Sequence, residues 1–104
     1  MARVVFSPRA QRQLQGLFAF LAPRAGSVRA RAYVRRVIAA CRRLDHFPER
    51  GTRRDEIMPG LRTLGFERRV TIAFTIEGNS VIILGVFYGG QDYEAALRKG
   101  DERE

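Results

Sequence analysis

The clearest pattern lies in the middle of the chain, where Ala30, Tyr33, Val34, Val37, Ile38, Cys41 and Leu44 recur at helical spacing for about four turns. This predicts a helix that Ser27 can cap and that ends around Asp45 to Phe47. Pro48 disfavours helical geometry just before it, and Gly51 follows. Upstream, Leu14, Leu17, Phe18 and Leu21 fall at i, i+3, i+4 and i+7, while Arg9, Arg12 and Gln13 lie largely off that stripe. That predicts a first helix opened by Ser7-Pro8 and stopping near Ala22-Pro23. The pattern elsewhere is of strand type. Arg3 to Phe6 and Leu61 to Phe66 are short candidates, and Arg69 to Glu77 mixes β-branched and aromatic residues. Ser80 to Tyr88 is a nearly continuous apolar run suited to a central strand. Gly78-Asn79 is a hairpin turn between the last two.

The polar stretch Glu49 to Gly60, punctuated by Gly51, Pro59 and Gly60, reads as a loop crossing from helices to sheet. After Gly89-Gly90, the residues Tyr93, Ala96 and Leu97 suffice for one short helix, and Arg98 to Glu104 has nothing to bury and is expected to be disordered. The expected fold class is therefore α+β: β-α-α-β-β-β, a helical hairpin on a small, mainly antiparallel sheet, then a short C-terminal helix. With 104 residues and 45% hydrophobic content, one domain spanning 1–104 is expected.

Charge changes the picture next. The formal net charge is +8, and it is uneven: Met1 to Arg54 holds 13 arginines against Asp45 and Glu49, a local net of +11. Such a surface attracts nucleic acid or an acidic partner. The preference for arginine over lysine reflects either selection for forked contacts to phosphate and carboxylate or a coding sequence rich in G and C. One cysteine, Cys41, and one histidine, His46, cannot supply a disulfide or a zinc ligand set, so no metal or cofactor is expected. No apolar run approaches the length of a membrane span, and the N-terminal residues lack a signal-peptide core, so a cytoplasmic, soluble protein is expected.

Five local patterns carry a family resemblance. They are F-S-P-R-A at Phe6 to Ala10, L-D-H-F-P-E-R-G at Leu44 to Gly51 and P-G-L-R-T-L at Pro59 to Leu64. R-V-T-I-A-F-T-I-E-G at Arg69 to Gly78 and I-L-G-V-F-Y-G-G-Q-D-Y at Ile83 to Tyr93 complete the set. In this order and near this spacing, the chain resembles the ParE/RelE toxins of type II toxin-antitoxin systems, more the ParE branch. The resemblance implies a toxin that binds DNA gyrase, is neutralised by a ParD-like antitoxin, and meets DNA only through the antitoxin complex or gyrase. It implies target contact by Arg62, Arg69, Tyr88, Gln91 and Tyr93. Antitoxin contact is expected from Leu14, Phe18, Phe20, Leu21, Tyr33 and Arg36, in an apolar trough left open by the helices.

The alternative is a RelE-like, ribosome-dependent mRNA endonuclease. That chemistry needs a base for the 2′-hydroxyl, an acid for the leaving oxygen and positive charge on the phosphorane. Arg69 and Tyr88 are the candidates, with Glu56 or Glu67 as base. ParE-like members usually carry histidine at the position of Tyr88 and often arginine at that of Gln91, and both are replaced here. Each candidate also has a plain structural reading. Arg69 can cap the sheet or pair with Glu67 or Glu77, and Arg62 can be an edge charge. Tyr88 can be a core-edge aromatic, Cys41 a small core residue and His46 a loop-facing or capping residue.

Overall fold

The computed structural model describes residues 2–98. Its elements are β1 (Arg3–Phe6), α1 (Pro8–Ala25), α2 (Ser27–Arg42) with a 3₁₀ turn at Arg43–Asp45, and β2 (Thr52–Arg53). They continue with β3 (Arg62–Phe66), β4 (Val70–Glu77), β5 (Ser80–Tyr88) and α3 (Tyr93–Arg98). The five strands lie in the order β1-β5-β4-β3-β2; β1 runs parallel to β5 and every other pairing is antiparallel. The mixed α+β architecture is the one the patterning predicts, with one strand more, because Thr52 and Arg53 pair with Thr63 and Arg62 inside the segment read as loop. Gly51 makes this possible. Its φ is +77°, and a Cβ there would run into the Thr63 carbonyl oxygen, so the backbones approach closely only because glycine has no side chain.

The helical hairpin also differs from expectation. α1 does not stop at Pro23 but runs to Ala25, because its last turn finds other donors: Arg24 Nη1 donates to the Phe20 carbonyl at 2.6 Å and the Gly26 N–H to Ala22 O at 2.9 Å. Gly26, at φ +93°, is the entire connection, and Ser27 is the first residue of α2 and not its cap. Arg98 closes α3 and donates to Glu94 at 2.9 Å, so the expected tail does not begin there; residues 99–104 lie outside the described residues.

Two apolar clusters sandwich the sheet. The larger joins Ala10, Leu14, Leu17, Val37, Cys41 and Leu44 of the helical layer to Val70, Ile72, Phe74, Val81, Ile83 and Val86 of the central strands. The smaller lies on the opposite sheet face, where Leu61, Ala73, Leu84 and Phe87 are covered by Ile57, Met58 and Leu97. The strand β5 is therefore buried on both faces, which is why its sequence is continuously apolar and not alternating.

A bulge makes β5 serve both clusters. Register slips between Ala73/Gly85 and Phe74/Ile83, leaving Leu84 as the extra residue. Side chains from the start of α1 satisfy the disrupted ladder: Ser7 Oγ donates to Leu84 O at 3.1 Å, and Gln13 Oε1 accepts the Val86 N–H at 2.6 Å. Ser7 Oγ also accepts the Ala10 N–H at 3.1 Å, so one hydroxyl both caps α1 and ties it to the sheet.

Candidate functional site

The bulged strand ends at Tyr88, and the chain there is stitched to the start of β4. Gly89, at φ +69°, donates its N–H to Arg69 O at 2.7 Å, while Gln91 Oε1 accepts the Tyr88 N–H at 2.9 Å. Arg69, Tyr88 and Gln91 are thereby held at one corner of the sheet, where α1 meets α2. The Tyr88 ring packs 6.0 Å from Phe20 of α1 and edge-on, 6.2 Å, against Tyr33 of α2. Tyr33 in turn sits 6.4 Å from Phe66 of β3, so four rings from four elements form a continuous ladder.

The turn beneath this ladder is strained. Glu67 and Arg68 have φ of 49° and 64°, and Arg69 N–H closes the turn on Phe66 O at 3.2 Å. Left-handed geometry at two residues other than glycine persists only where the surroundings hold it. Here Arg36 of α2 does so, its Nε and Nη2 reaching the two Glu67 carboxylate oxygens at 3.0 and 3.1 Å. That fork holds the Glu67 carboxyl below its ordinary range, the hydrogen bond from Arg36 being the main cause. Of the alternatives for Arg69, capping the sheet or pairing with Glu67 or Glu77, the pairing with Glu67 does not occur. Arg36 takes that carboxylate, leaving Arg69 exposed on the rim of a cleft.

Two clefts share Tyr88 as a wall. One, about 410 Å³, is bordered by Arg29, Arg36 and Arg69 around Tyr33, with Glu67 as its acidic residue. The Tyr33 hydroxyl is buried and has no hydrogen-bond partner among the described residues. Burial, then the proximity of Tyr88 and Glu67, raises its pKa above 10.0, against the opposing pull of Arg36 and Arg69. The exposed guanidinium groups of Arg29 and Arg69 on the border of this cleft are suited to holding an anionic or carbonyl-rich group. The second cleft, about 520 Å³, runs between α1 and the end of β5, past Gln13, Gly16, Phe20, Gly89 and Gln91.

The other expected residues fall elsewhere. Arg62 lies at the far end of β3, with Nη1 3.3 Å from Arg50 O, and Tyr93 packs 6.1 Å from Phe87 on the opposite sheet face. Glu56 belongs to the loop covering that opposite face, where it lies 4.0 Å from Arg54 and its carbonyl accepts from Arg98. The trio Arg69, Tyr88 and Glu56 is thus not brought together. Among the residues expected to meet an antitoxin, Leu14 is a core residue, 8% exposed. Phe18 is half-buried beneath Arg31, whose Cζ is 5.6 Å from the ring. Phe20 is 46% exposed under the Arg24 guanidinium, and Leu21, Tyr33 and Arg36 border the first cleft. Cys41 is fully buried, and His46 Nδ1 lies 2.7 Å from Asp45 Oδ1 beyond α2. Sequence reasoning did not single out Phe66 or Arg29 for this corner. Neither carries a local signal, since both arrive by chain reversal.

Comparison with known proteins places this geometry in context. The sequence model of the family described as "ParE toxin of type II toxin-antitoxin system, parDE" matches residues 4–93. The fold is similar to a chain of the solved structure of the chromosomal ParDE TA system from P. aeruginosa, with a TM-score of 0.76 and 22% identity. The match covers 86% of this chain and 97% of that one. A search of curated protein sequences finds no match. Among the described residues, no helix is long and apolar enough to cross a membrane.

Proposed function

Because the chain belongs to the ParE toxin family of type II toxin-antitoxin systems, we propose that it acts by binding DNA gyrase through the corner formed by Arg69, Tyr88 and Gln91. A ParD-like antitoxin covers the neighbouring helical surface in the neutralised state. The observation that carries this reading is the convergence of a guanidinium, a tyrosine and an amide beside two open clefts, at the end of the last strand.

Binding is favoured over bond cleavage by the fate of the carboxylates. Glu56 lies on the opposite sheet face, and Glu67 is forked to Arg36, which makes it a weaker base. Phe20, Leu21 and Tyr33 supply the apolar contacts for an antitoxin helix, with Phe18 at their margin and Arg36, already forked to Glu67, bordering them. Leu14 supports this surface from the core.

The test is a gyrase supercoiling assay with purified toxin. Inhibition is expected to require about tenfold more protein after Arg69→Ala or Tyr88→Ala, the loss of roughly 1.4 kcal/mol of contact. Unimpeded supercoiling at molar excess of folded protein sinks the proposal. Ribosome-stimulated mRNA cleavage abolished by Tyr88→Phe would replace it with the RelE-like reading.

A further inference from the structure

Apart from Arg29 and Arg36, which border the first cleft, the arginines of α2 are not explained by the corner described above. Arg31, Arg35 and Arg42 recur at i, i+4 and i+11, one row along the exposed side of the helix. Arg29, Arg36 and, in the 3₁₀ turn, Arg43 recur every seven residues, a second row. Between the rows run Val28, Ala32 and Ala39, all exposed and all small or short, with Val28 77% exposed. Arg36 is neutralised by Glu67. Arg31 and Arg42 lie over the rings of Phe18 and Phe6, at 5.6 and 5.4 Å, which orients a guanidinium without cancelling its charge. Among the described residues, Arg29, Arg31, Arg35, Arg42 and Arg43 pair with no carboxylate. Asp45 and Glu49 are the only acidic residues before Asp55.

We propose that this outward face of α2 is a contact surface for duplex DNA, read by shape and charge and not by sequence. The occupant follows from geometry. A helix with its side chains is about 10–12 Å across and the major groove is about 12 Å wide, with phosphates along both margins. Two arginine rows flanking a line of small residues match that arrangement, whereas an extended acidic peptide lies along one row and leaves the other unpaired. From Arg29 to Arg43 the rise is about 21 Å at 1.5 Å per residue, alongside roughly a dozen phosphate charges. The central line of Val28, Ala32 and Ala39 lets the helix backbone approach and carries no side chain able to hydrogen-bond a base edge. This goes beyond the expectation that DNA is met only through the antitoxin complex or gyrase. It stands whether or not gyrase is the target.

The experiment measures binding of the full chain to a labelled mixed-sequence 20-base-pair duplex by fluorescence anisotropy, across salt concentrations. Five unpaired arginines give an expected slope of log K against log salt of about −4 to −5, an affinity loss on the order of a few hundred-fold from 50 to 200 mM. Arg31→Ala/Arg35→Ala/Arg42→Ala should flatten the slope by about 3, and Arg35→Ala alone, which disturbs no ring contact, by about 1. The corresponding lysine triple variant should retain it. Arg53→Ala/Arg98→Ala, which removes arginines already paired with Asp55 and Glu94, should also leave it unchanged. Absence of binding at 50 mM salt overturns the proposal, as does a slope that responds to Arg69→Ala and not to the α2 variants. Tighter binding of a polyglutamate peptide than of the duplex at equal salt assigns the surface to an acidic protein instead, and equally overturns it.

Discussion

Replacing Ser7 tests how α1 is fastened to the sheet. Its hydroxyl makes two hydrogen bonds at a position 6% exposed, accepting from Ala10 N–H as helix cap and donating to the carbonyl of the bulged Leu84. Losing the cap costs about 0.5–2 kcal/mol. Leaving the carbonyl of Leu84, a residue 4% exposed, without its partner costs about 1–3 kcal/mol more. Ser7→Ala is therefore expected to destabilise the fold by about 2–4 kcal/mol, lowering Tm by about 8 °C or more at roughly 4–8 °C per kcal/mol for a domain near this size. Ser7→Gly separates the parts. Glycine is a tolerable cap at a cost of a few tenths of a kcal/mol, so its loss of about 1–3 kcal/mol reports mainly the bond to Leu84. Urea unfolding of the three proteins, fitted with a common m-value, gives the differences. If Ser7→Gly unfolds within about 0.5 kcal/mol of the parent, the hydroxyl is only a cap and the account of the bulge is wrong.

Three further outcomes are expected. Gly51→Ala should destabilise by more than about 1 kcal/mol, since the position combines φ +77° with the Thr63 carbonyl in the path of any Cβ; an unchanged urea midpoint would contradict this. Burial pushes the Cys41 thiol up to about 12, with the Arg42 charge a smaller opposing influence, so native protein at neutral pH should resist thiol reagents. The unfolded thiol ionises near pH 9 while the folded one does not. The stabilisation is therefore complete below that pH and is lost as pH rises from about 9 towards 12, and Cys41→Ala should remove that part of the pH dependence. Glu67, held low by Arg36, should titrate below its ordinary value of 4.5 in a carbon-detected NMR titration, and Arg36→Ala should bring it back up; no change on substitution would show that the fork is absent in solution.

The positions of the elements other than β2 were legible because each depends on local order. The stripe from Ala30 to Leu44 needs only helical period, and the run from Ser80 to Tyr88 only length and apolar content. The family patterns likewise sit at punctuation points such as Ser7-Pro8 and Gly89-Gly90, where short-range geometry restricts the residue type. Pro23 shows the same dependence in reverse. A local rule ends a helix there, whereas Arg24 and Gly26 supply donors that keep its last turn intact.

What only the folded chain decides is everything that joins residues far apart in sequence. The register slip at Leu84 and its repair by Ser7 and Gln13 span more than seventy residues, and no periodicity encodes such a match. The same is true of Glu67, whose partner is Arg36 across the hairpin and not its neighbour Arg69, and of Glu56, carried to the far face by the loop over Leu61. Local periodicity specifies which face of an element is apolar. Which two faces meet, and which charged groups are then close enough to bond, follows from the burial of both sides of β5 at once.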